Sequence, residues 1–568
     1  MSSVVTPVIT ASLRPDLFPE VGLRSLSRKA LVIALSVFVI AGAAFRVTGL
    51  AGEGLSEDEL NKLNAVSDYR AHGLTSANAE HPLLMKAALT VSVIAAEKWN
   101  GTSLVSRHPE MNIPIETSLR LPGAILGALA GVLIFLVGSE LFGSEVGLIA
   151  AALWAFDPLT ISFNRIAKED TFLVFFFLLA NLFWLRSQRV AESQPQQRPD
   201  PFYWAAAASF GAMLASKYLP QMLVISVAYY YMFQAIPPTR WRLGKKNFLK
   251  FFAVMGIAFL ICNPTILLPD TWRTMANFAA YKMIGHDSYE FIGHLYPHRM
   301  GDWLKGEPWY FYLILFGVKL PIVTLAGCLI GLILLFRRAT GDGRYFVLFW
   351  FFVWALVFTF TGGKFTRYAT SLMPAIVISA ALGFQFVGRK LGELAGRVKE
   401  VRFARMYVQY GFVSVMIVAT VWVTVRAAPH FRLYTNTIGG GQNHAGSLFP
   451  QDEFYDAYMQ AVMKEVATRA QSGAHVASEI PTLADYYARR AGRSDLLCVE
   501  LSDPAELSKL SPGDFVIDAR GRTYFSNQAM LSHLRQTSGP AFTIPVGAIA
   551  AADVYILDQR SLTALRGY

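Results

Sequence analysis

A pair of carboxylates, Asp58 and Glu59, directly follows the first long apolar run of the chain, at about residues 30–50. A histidine and a lysine, His81 and Lys86, follow about twenty residues later. A carboxylate among cations can remove the proton from a hydroxyl group, while the cations stabilise negative charge on a leaving group such as a phosphate. These four residues therefore predict an acid–base site at the end of an apolar segment.

The composition indicates which elements must position such a site. Charged residues make up only 16% of the chain and hydrophobic residues 54%, whereas soluble domains average about 25% charged residues. Apolar runs of about 17–22 residues recur along the chain, and this length is sufficient to cross a bilayer. We therefore expect an integral membrane protein. The net charge of +11 lies mainly in short connections between these runs, which is typical of membrane topology rather than of nucleic-acid binding.

The positive-inside rule orders the apolar runs. Basic residues before the first run place the N-terminus in the cytoplasm, and the later basic clusters must lie on the same side. This requirement predicts an interfacial amphipathic helix at 82–99 and two short spans within 202–235, separated at Lys217. The eleven predicted spans are 30–50, 119–140, 145–163, 169–187, 202–216, 219–235, 249–268, 309–336, 345–361, 366–388 and 407–427. The C-terminus would then lie outside.

The predicted fold is mainly α: a polytopic bundle of about eleven transmembrane helices with a small α/β domain after it. Its parts are a cytoplasmic segment 1–29, a membrane domain 30–428 and an extracytoplasmic domain 429–568. The outer loop 51–118 would also contain a short helix at about 57–70. Alternation of helices and strands predicts the α/β domain. Its helices are expected at 452–471, 482–491 and 526–536, and its strands at 475–480, 496–500, 513–518, 541–546 and 552–557.

With this topology, polar residues of several turns converge on the outer membrane surface. They are Arg165 and Asp170 between spans three and four, Lys217 between spans five and six, and Lys364, Arg367 and Tyr368 between spans nine and ten. Charges at the membrane are costly and by default indicate function. Taken singly, Lys168, Glu169 and Lys319 are interpreted as structural charges.

The residue types predict a particular reaction. Transfer of a sugar from a polyprenyl phosphate needs a base for the acceptor hydroxyl and cations for the phosphate, but no general acid, because phosphate is a competent leaving group. Asp58 would be the base, and Arg165 and Arg367 could bind the phosphate through paired hydrogen bonds. One base with an in-line attack predicts inversion at the anomeric carbon.

At these residues the chain resembles the protein O-mannosyltransferase family and its prokaryotic relatives, a branch of the polytopic C-type glycosyltransferases. The family's Asp-Glu pair is matched by Asp58-Glu59, and its His-Pro-Pro-Leu-Gly-Lys motif by residues 81–86, where Leu83 and Met85 replace the second proline and the glycine. Further matches are Arg120-Leu121-Pro122, Arg165 with Asp170, Lys217-Tyr218, and Arg367-Tyr368 within the segment GGKFTRYATSLMPAI. The ordered matches cover about residues 30–430.

The resemblance implies a donor such as polyprenyl-phosphate mannose and catalysis on the extracytoplasmic face of a prokaryotic plasma membrane. The acceptor would be a hydroxyl group of a protein, a lipid or a glycan. Asp58 and Glu59 would be catalytic. The residues expected to bind the donor phosphate or substrate are His81, Lys86, Arg165, Asp170, Lys217, Lys364, Arg367 and Tyr368.

Other interpretations remain open at this stage. The chemistry requires no cofactor, although Glu57 to Glu59 carry enough charge for a divalent cation. The group His286, Asp287, His294 and His298 matches no compact metal-ligand spacing. A transporter or flippase would instead have broken helices and binding residues at the membrane midplane. In a non-catalytic scaffold, Asp58 would only stabilise the helix dipole.

Overall fold

The computed structural model of the protein describes residues 27–193, 198–235, 245–281, 283–398 and 402–566. Most of residues 27–427 is helical. The helices are α1 (Arg28–Val47), α2 (Glu57–His72), α3 (Leu83–Asn100), α4 (Ser103–Arg107), α5 (Ile115–Phe142), α6 (Ser144–Ala155), α7 (Pro158–Asn164), α8 (Glu169–Ser193), α9 (Asp200–Ser216), α10 (Met222–Ala235), α11 (Lys245–Cys262), α12 (Pro269–Tyr281), α13 (Phe311–Lys319), α14 (Ile322–Leu335), α15 (Gly343–Phe360), α16 (Met373–Val398) and α17 (Arg402–Ala427). Strands β1 (Met283–Phe291) and β2 (His294–Arg299) form an antiparallel hairpin.

Six of these helices, α1, α5, α8, α15, α16 and α17, are long and apolar enough to cross a membrane, which confirms a polytopic helical fold. In the described residues the number is seven if α6 and α7, which are bent by 64° at their junction, form one broken span. The other four of the eleven predicted spans are shorter or interrupted helices. The run 309–336, for example, is divided because Pro321 precedes α14 and cannot continue α13.

The connection from α1 to α5 contains both helices that the sequence predicts there. Helix α2 begins at a capping box, in which the Ser56 hydroxyl accepts from the Glu59 N–H and the Glu59 carboxylate accepts from the Ser56 N–H. Three acidic residues in its first turn also suit the positive end of the helix dipole. Helix α3 starts after Pro82, a residue that favours the first position of a helix.

Five strands of the C-terminal part form one mixed sheet in the order β4-β3-β5-β7-β6. Strands β3 (His475–Ser478), β4 (Leu497–Glu500) and β5 (Phe515–Ala519) are parallel, and β6 (Phe542–Val546) and β7 (Ile549–Ile556) pair antiparallel. The accompanying helices are α18 (Pro450–Phe454), α19 (Met459–Arg469), α20 (Pro481–Arg490), α21 (Pro504–Leu507), α22 (Gln528–Thr537) and α23 (Gln559–Arg566). The predicted helix 452–471 is instead two helices, because the backbone turns at Tyr455 and Asp456.

The connections between helices meet at one end of the bundle. The turn from α7 to α8, the segment from α15 to α16 and the C-terminal segment all contact the first turn of α2. A different set of ion pairs, between Glu140 and Arg189 and between Glu145 and Arg389, lies at the opposite helix ends. The polar residues that the sequence predicts at the outer turns therefore share one end of the bundle.

Candidate active site

Asp58 lies at the centre of this polar end. The Lys168 ammonium is 2.7 Å from Asp58 Oδ2, and the Tyr455 hydroxyl donates a 2.8 Å hydrogen bond to the same oxygen. The Arg367 guanidinium is 3.9 Å from it. Among the described residues, no hydrogen bond reaches Oδ1, and the Asp58 side chain is 36% exposed. One carboxylate oxygen is thus anchored and the other is available to a ligand.

The charge of Asp58 is set by these cations. Burial alone would raise its pKa, but the charges of Lys168 and Arg367 lower it, and the balance holds the pKa well below its ordinary value. The group is therefore ionised at any physiological pH. Burial alone would lower the pKa of the Arg367 guanidinium. The negative charge of Asp58 outweighs this effect, and the pKa of Arg367 is raised overall.

A second ion-pair layer lies behind Lys168. Lys62 and Glu169 are both almost completely buried and 2.7 Å apart, and His81 Nδ1 is 3.5 Å from the same Glu169 oxygen. Burial lowers the pKa of His81 well below 6.5 despite the nearby Glu169. A lowered pKa favours the uncharged form of the His81 ring.

Two cations lie near the ring of Tyr368. The Lys217 ammonium is 4.5 Å from the ring centre and 2.6 Å from an oxygen of Asp170. The Arg367 guanidinium is 5.7 Å from the Tyr368 ring and 3.7 Å from that of Phe365. Stacking on aromatic faces fixes a guanidinium without consuming its hydrogen-bond donors. Arg367 therefore retains donors for a ligand.

Glu59 has a different environment from its neighbour. It is completely buried, and Arg120 binds both of its oxygens at 2.8 and 2.7 Å. The same carboxylate accepts from the backbone N–H groups of Ser56 and Ala167. Because these donors occupy both oxygens, Glu59 connects α2, α5 and the turn before α8, and no oxygen is left for a substrate proton.

Replacing Glu59 with glutamine is expected to destabilise the protein, because Arg120 would lose its buried counter-charge. Breaking one partner of a buried ion pair costs about 3–5 kcal/mol. Thermal unfolding of the purified protein in detergent measures this loss. Glu97→Gln is the matched control, since Glu97 and Arg70 form an exposed pair, and exposed pairs contribute about 0.2–1 kcal/mol. Equal melting temperatures for the two variants would contradict the structural role of Glu59.

Three predicted phosphate-binding cations direct their donors to backbone carbonyls instead. The Lys86 ammonium donates to the carbonyls of residues 77, 78 and 81. Arg165 caps the end of α1 through the carbonyls of Phe45, Thr48 and Gly49. Lys364 donates to carbonyls of Glu307 and Thr361. Ion pairs and ring contacts link the predicted residues Asp170, Lys217, Arg367 and Tyr368 to Asp58, whereas His81 contacts Glu169 in the second layer.

The interpretation of Lys168, Glu169 and Lys319 as ordinary structural charges needs correction for Lys168. All three are buried and ion-paired, but only Lys168 contacts Asp58 directly. The sequence signal for this role of Lys168 is its position in the same turn as Asp170, which was itself predicted to bind substrate. Tyr455 and the buried Asp452, which is 3.8 Å from Arg367, gave no comparable signal in the sequence.

Three of the four residues in the group His286, Asp287, His294 and His298 have separate partners. His286 stacks on Tyr524, and Asp287 accepts hydrogen bonds from the backbone of Phe525 and Ser526. His298 pairs with Glu307, and His294 is in β2. In the described parts of the chain, no three His, Cys, Asp or Glu side chains are grouped so that they could hold a metal ion.

Comparison with known proteins identifies one matching family. Residues 114–267, which include Lys168, Asp170 and Lys217, match the family described as dolichyl-phosphate-mannose-protein mannosyltransferase. The resemblance to the protein O-mannosyltransferases is confirmed. A comparison with curated protein sequences gives no significant match.

Solved structures are similar over most of the chain. ArnT from Cupriavidus metallidurans in the apo state is 13% identical, with a TM-score of 0.50 over 92% of this chain and 97% of that one. The same protein bound to undecaprenyl phosphate is 12% identical, with a TM-score of 0.49 over 93% of this chain and 98% of that one. The apo form of the Archaeoglobus fulgidus oligosaccharyltransferase is 11% identical, with a TM-score of 0.47 over 87% of this chain and 70% of that one. The fold is that of the polytopic C-type glycosyltransferases.

Proposed function

We propose that the protein transfers a sugar, mannose or a similar one, from a polyprenyl phosphate to a hydroxyl acceptor, with inversion at the anomeric carbon. The observation that carries this proposal is the state of Asp58. One oxygen is held by Lys168 and Tyr455, while the other accepts no hydrogen bond from the described residues. A carboxylate anchored in this way can take up the acceptor proton as the hydroxyl attacks.

The phosphate of the donor would bind to the cations that face Asp58. Arg367 and Lys168 come from separate segments. Lys168 is 2.7 Å from Asp58, and Arg367 lies between Asp58 at 3.9 Å and Asp452 at 3.8 Å. Their charge would stabilise the phosphate as it leaves, so that no general acid is required. Lys217 and Tyr368, which lie beside Arg367, would contact the sugar or the phosphate.

Donor binding would also change the strength of the base. Without a donor, Lys168 and Arg367 hold the pKa of Asp58 well below its ordinary value. A bound phosphate would share these cations and add its own negative charge, and both effects raise the pKa of a carboxylate. Asp58 would thus become a better proton acceptor when the donor is in place.

The nature of the donor is supported by the matched family, which is named for dolichyl-phosphate mannose. A carrier of this class is anchored in the bilayer, and the network around Asp58 lies at the ends of apolar helices, where such a carrier would expose its phosphate. We place this end on the extracytoplasmic side of a prokaryotic plasma membrane, with the N-terminus in the cytoplasm. Protein, lipid and glycan hydroxyls remain candidate acceptors.

Transfer can be measured with the purified protein in lipid nanodiscs, a radiolabelled polyprenyl-phosphate mannose and an extract of host envelope acceptors. We expect label to move from the lipid fraction to an acceptor, and the product to have the anomeric configuration opposite to that of the donor. A product with retained configuration would contradict the single-base mechanism. In proteoliposomes, movement of the intact donor across the bilayer without any product would instead support a flippase.

A further inference from the structure

The C-terminal segment contributes a residue to the proposed site through an unusual backbone conformation. Between α18 and α19, Tyr455 and Asp456 have φ angles of 47° and 61°. Two consecutive residues other than glycine rarely adopt left-handed conformations, and they persist only where the surrounding structure holds them. The turn therefore requires an explanation in its contacts.

The contacts of Asp456 hold this turn in place. Its two oxygens accept from Arg522 at 2.9 and 2.6 Å, a paired arrangement that fixes orientation as well as distance. Asp456 also accepts a 3.0 Å hydrogen bond from the backbone N–H of Glu57, the residue that precedes Asp58. Asp456 therefore connects the C-terminal domain to the first turn of α2.

The turn places Tyr455 against Asp58. The Tyr455 side chain is buried, its hydroxyl donates to Asp58 Oδ2 at 2.8 Å, and its ring lies 5.7 Å from the guanidinium of Arg432. Oδ2 thus has two donors, Lys168 and Tyr455, from different sides. Two fixed donors on one oxygen determine the rotation of the carboxylate and hence the direction in which Oδ1 points.

We propose that Tyr455 is a positioning residue for Asp58, held in register by the Asp456–Arg522 pair. This inference rests on the proposed function, in which Oδ1 accepts the proton of the acceptor. Donor phosphate would compete with Asp58 for Lys168, whereas the neutral Tyr455 hydroxyl would keep its bond to the carboxylate. Tyr455 therefore maintains the orientation of the base while the charge around it changes.

Tyr455→Phe tests this role in the full-length protein, because it removes the hydroxyl and keeps the ring. We expect kcat to fall roughly 10- to 100-fold, with donor Kd and melting temperature close to those of the wild type. The control is Tyr69→Phe, which removes a partly buried hydroxyl from the helix that carries Asp58, but one that donates to the Ala77 carbonyl.

The pH dependence of kcat separates positioning from a general structural effect. A hydrogen bond to an ionised carboxylate lowers its pKa, so removal of the Tyr455 hydroxyl raises the pKa of Asp58. A base is inactive when protonated, and the acidic limb of the profile should therefore move to higher pH in Tyr455→Phe. Wild-type kcat with an unchanged acidic limb would overturn the proposal.

Arg522→Lys provides a second test that leaves Tyr455 intact. A lysine cannot make the paired contact to Asp456, so we expect a smaller loss of kcat in the same direction. Arg535→Lys is the control, because Arg535 binds Asp518 in the same paired way elsewhere in the domain. Equal kcat in the two arginine variants would show that the Asp456 pair does not hold the site.

These outcomes separate the proposed function and the base assignment from the role of Tyr455. If the wild-type protein moves no label to an acceptor, the proposed function itself fails, and if Asp58→Asn retains wild-type transfer, the assignment of Asp58 as the base fails. If Asp58→Asn is inactive while Tyr455→Phe behaves as the wild type, the base assignment stands and only the role of Tyr455 is wrong.

Discussion

Asp58→Asn is expected to reduce sugar transfer about 10³-fold, within the range of about 10²–10⁴ for loss of a general base. The amide keeps the size of the side chain and a contact for Tyr455, but it cannot accept the proton of the acceptor hydroxyl. Donor affinity should not fall, and we expect it to rise. Lys168 and Arg367 would lose the carboxylate that now competes with phosphate for their charge.

Turnover and equilibrium binding of the polyprenyl-phosphate sugar, measured on the same preparation, test both parts of this prediction. Asp68→Asn is the control, because Asp68 belongs to the same helix but contacts His72 and Thr75 on its outer surface. Near-normal turnover in Asp58→Asn would show that another group removes the proton. Reduced turnover that comes only from weak donor binding would indicate a binding role for Asp58.

Arg367→Gln is expected to lower kcat/KM by about 10²-fold or more, the cost of removing one donor that stabilises transition-state charge. Both ground-state binding of the phosphate and stabilisation of its departure would be lost, so Kd for the donor should rise and kcat should fall. Arg367→Lys should recover part of the binding, because it restores the charge without the fork of two donors.

Arg70→Gln is the control for the arginine series. Arg70 lies in α2, and its side chain forms an exposed pair with Glu97. Steady-state kinetics with varied donor concentration separate kcat from KM in each variant. An unchanged kcat/KM in Arg367→Gln would remove Arg367 from the phosphate site and leave Lys168 and Lys217 as the candidates.

The positive-inside rule, applied to the basic clusters between the apolar runs, predicted which helix connections share one end of the bundle. Asp58, Lys217 and Arg367 come from connections far apart in the chain, yet ion pairs and ring contacts join them in one network. This prediction succeeds because charged turns are too costly to place within the hydrocarbon layer of the membrane. The positive-inside rule could not predict the helix lengths. A proline such as Pro321 divides an apolar run into two helices without changing the charge of its flanking turns.

The sequence could not distinguish cations that face the site from cations that cap the backbone. Helix ends leave unpaired carbonyls, and a nearby lysine or arginine can satisfy them as readily as it can bind a phosphate. Arg165 does so at the end of α1, and Lys86 does so in the loop before α3. A cation that binds a phosphate and a cation that caps backbone carbonyls are the same residue types in the same turns, so the sequence does not separate them.

Tyr455 was beyond prediction for a different reason. It is 397 residues from Asp58 in the chain, and the segment around it has helical periodicity without a glycine at the turn. The local sequence favours one continuous helix, and the Arg522 and Glu57 contacts of Asp456 override that preference. Only the folded C-terminal domain brings these partners together.

The interpretation of Asp58 as a simple helix-dipole charge accounts for less of the geometry. Glu57 and Glu59 would already supply negative charge to the first turn of α2. A dipole role needs no partner, whereas Asp58 is met by Lys168, Arg367 and Tyr455 from three other segments. Convergence of this kind is what a base in an anion-binding site requires.

A structure of the Asp58→Asn protein in nanodiscs with a polyprenyl-phosphate sugar is the most direct test of the account. We expect phosphate oxygens within about 2.7–2.9 Å of the Arg367 and Lys168 nitrogens, as in charge-assisted hydrogen bonds, and the anomeric carbon facing position 58. A phosphate bound at the other end of the bundle, beside Glu145 and Arg389, or out of reach of both cations, would contradict it.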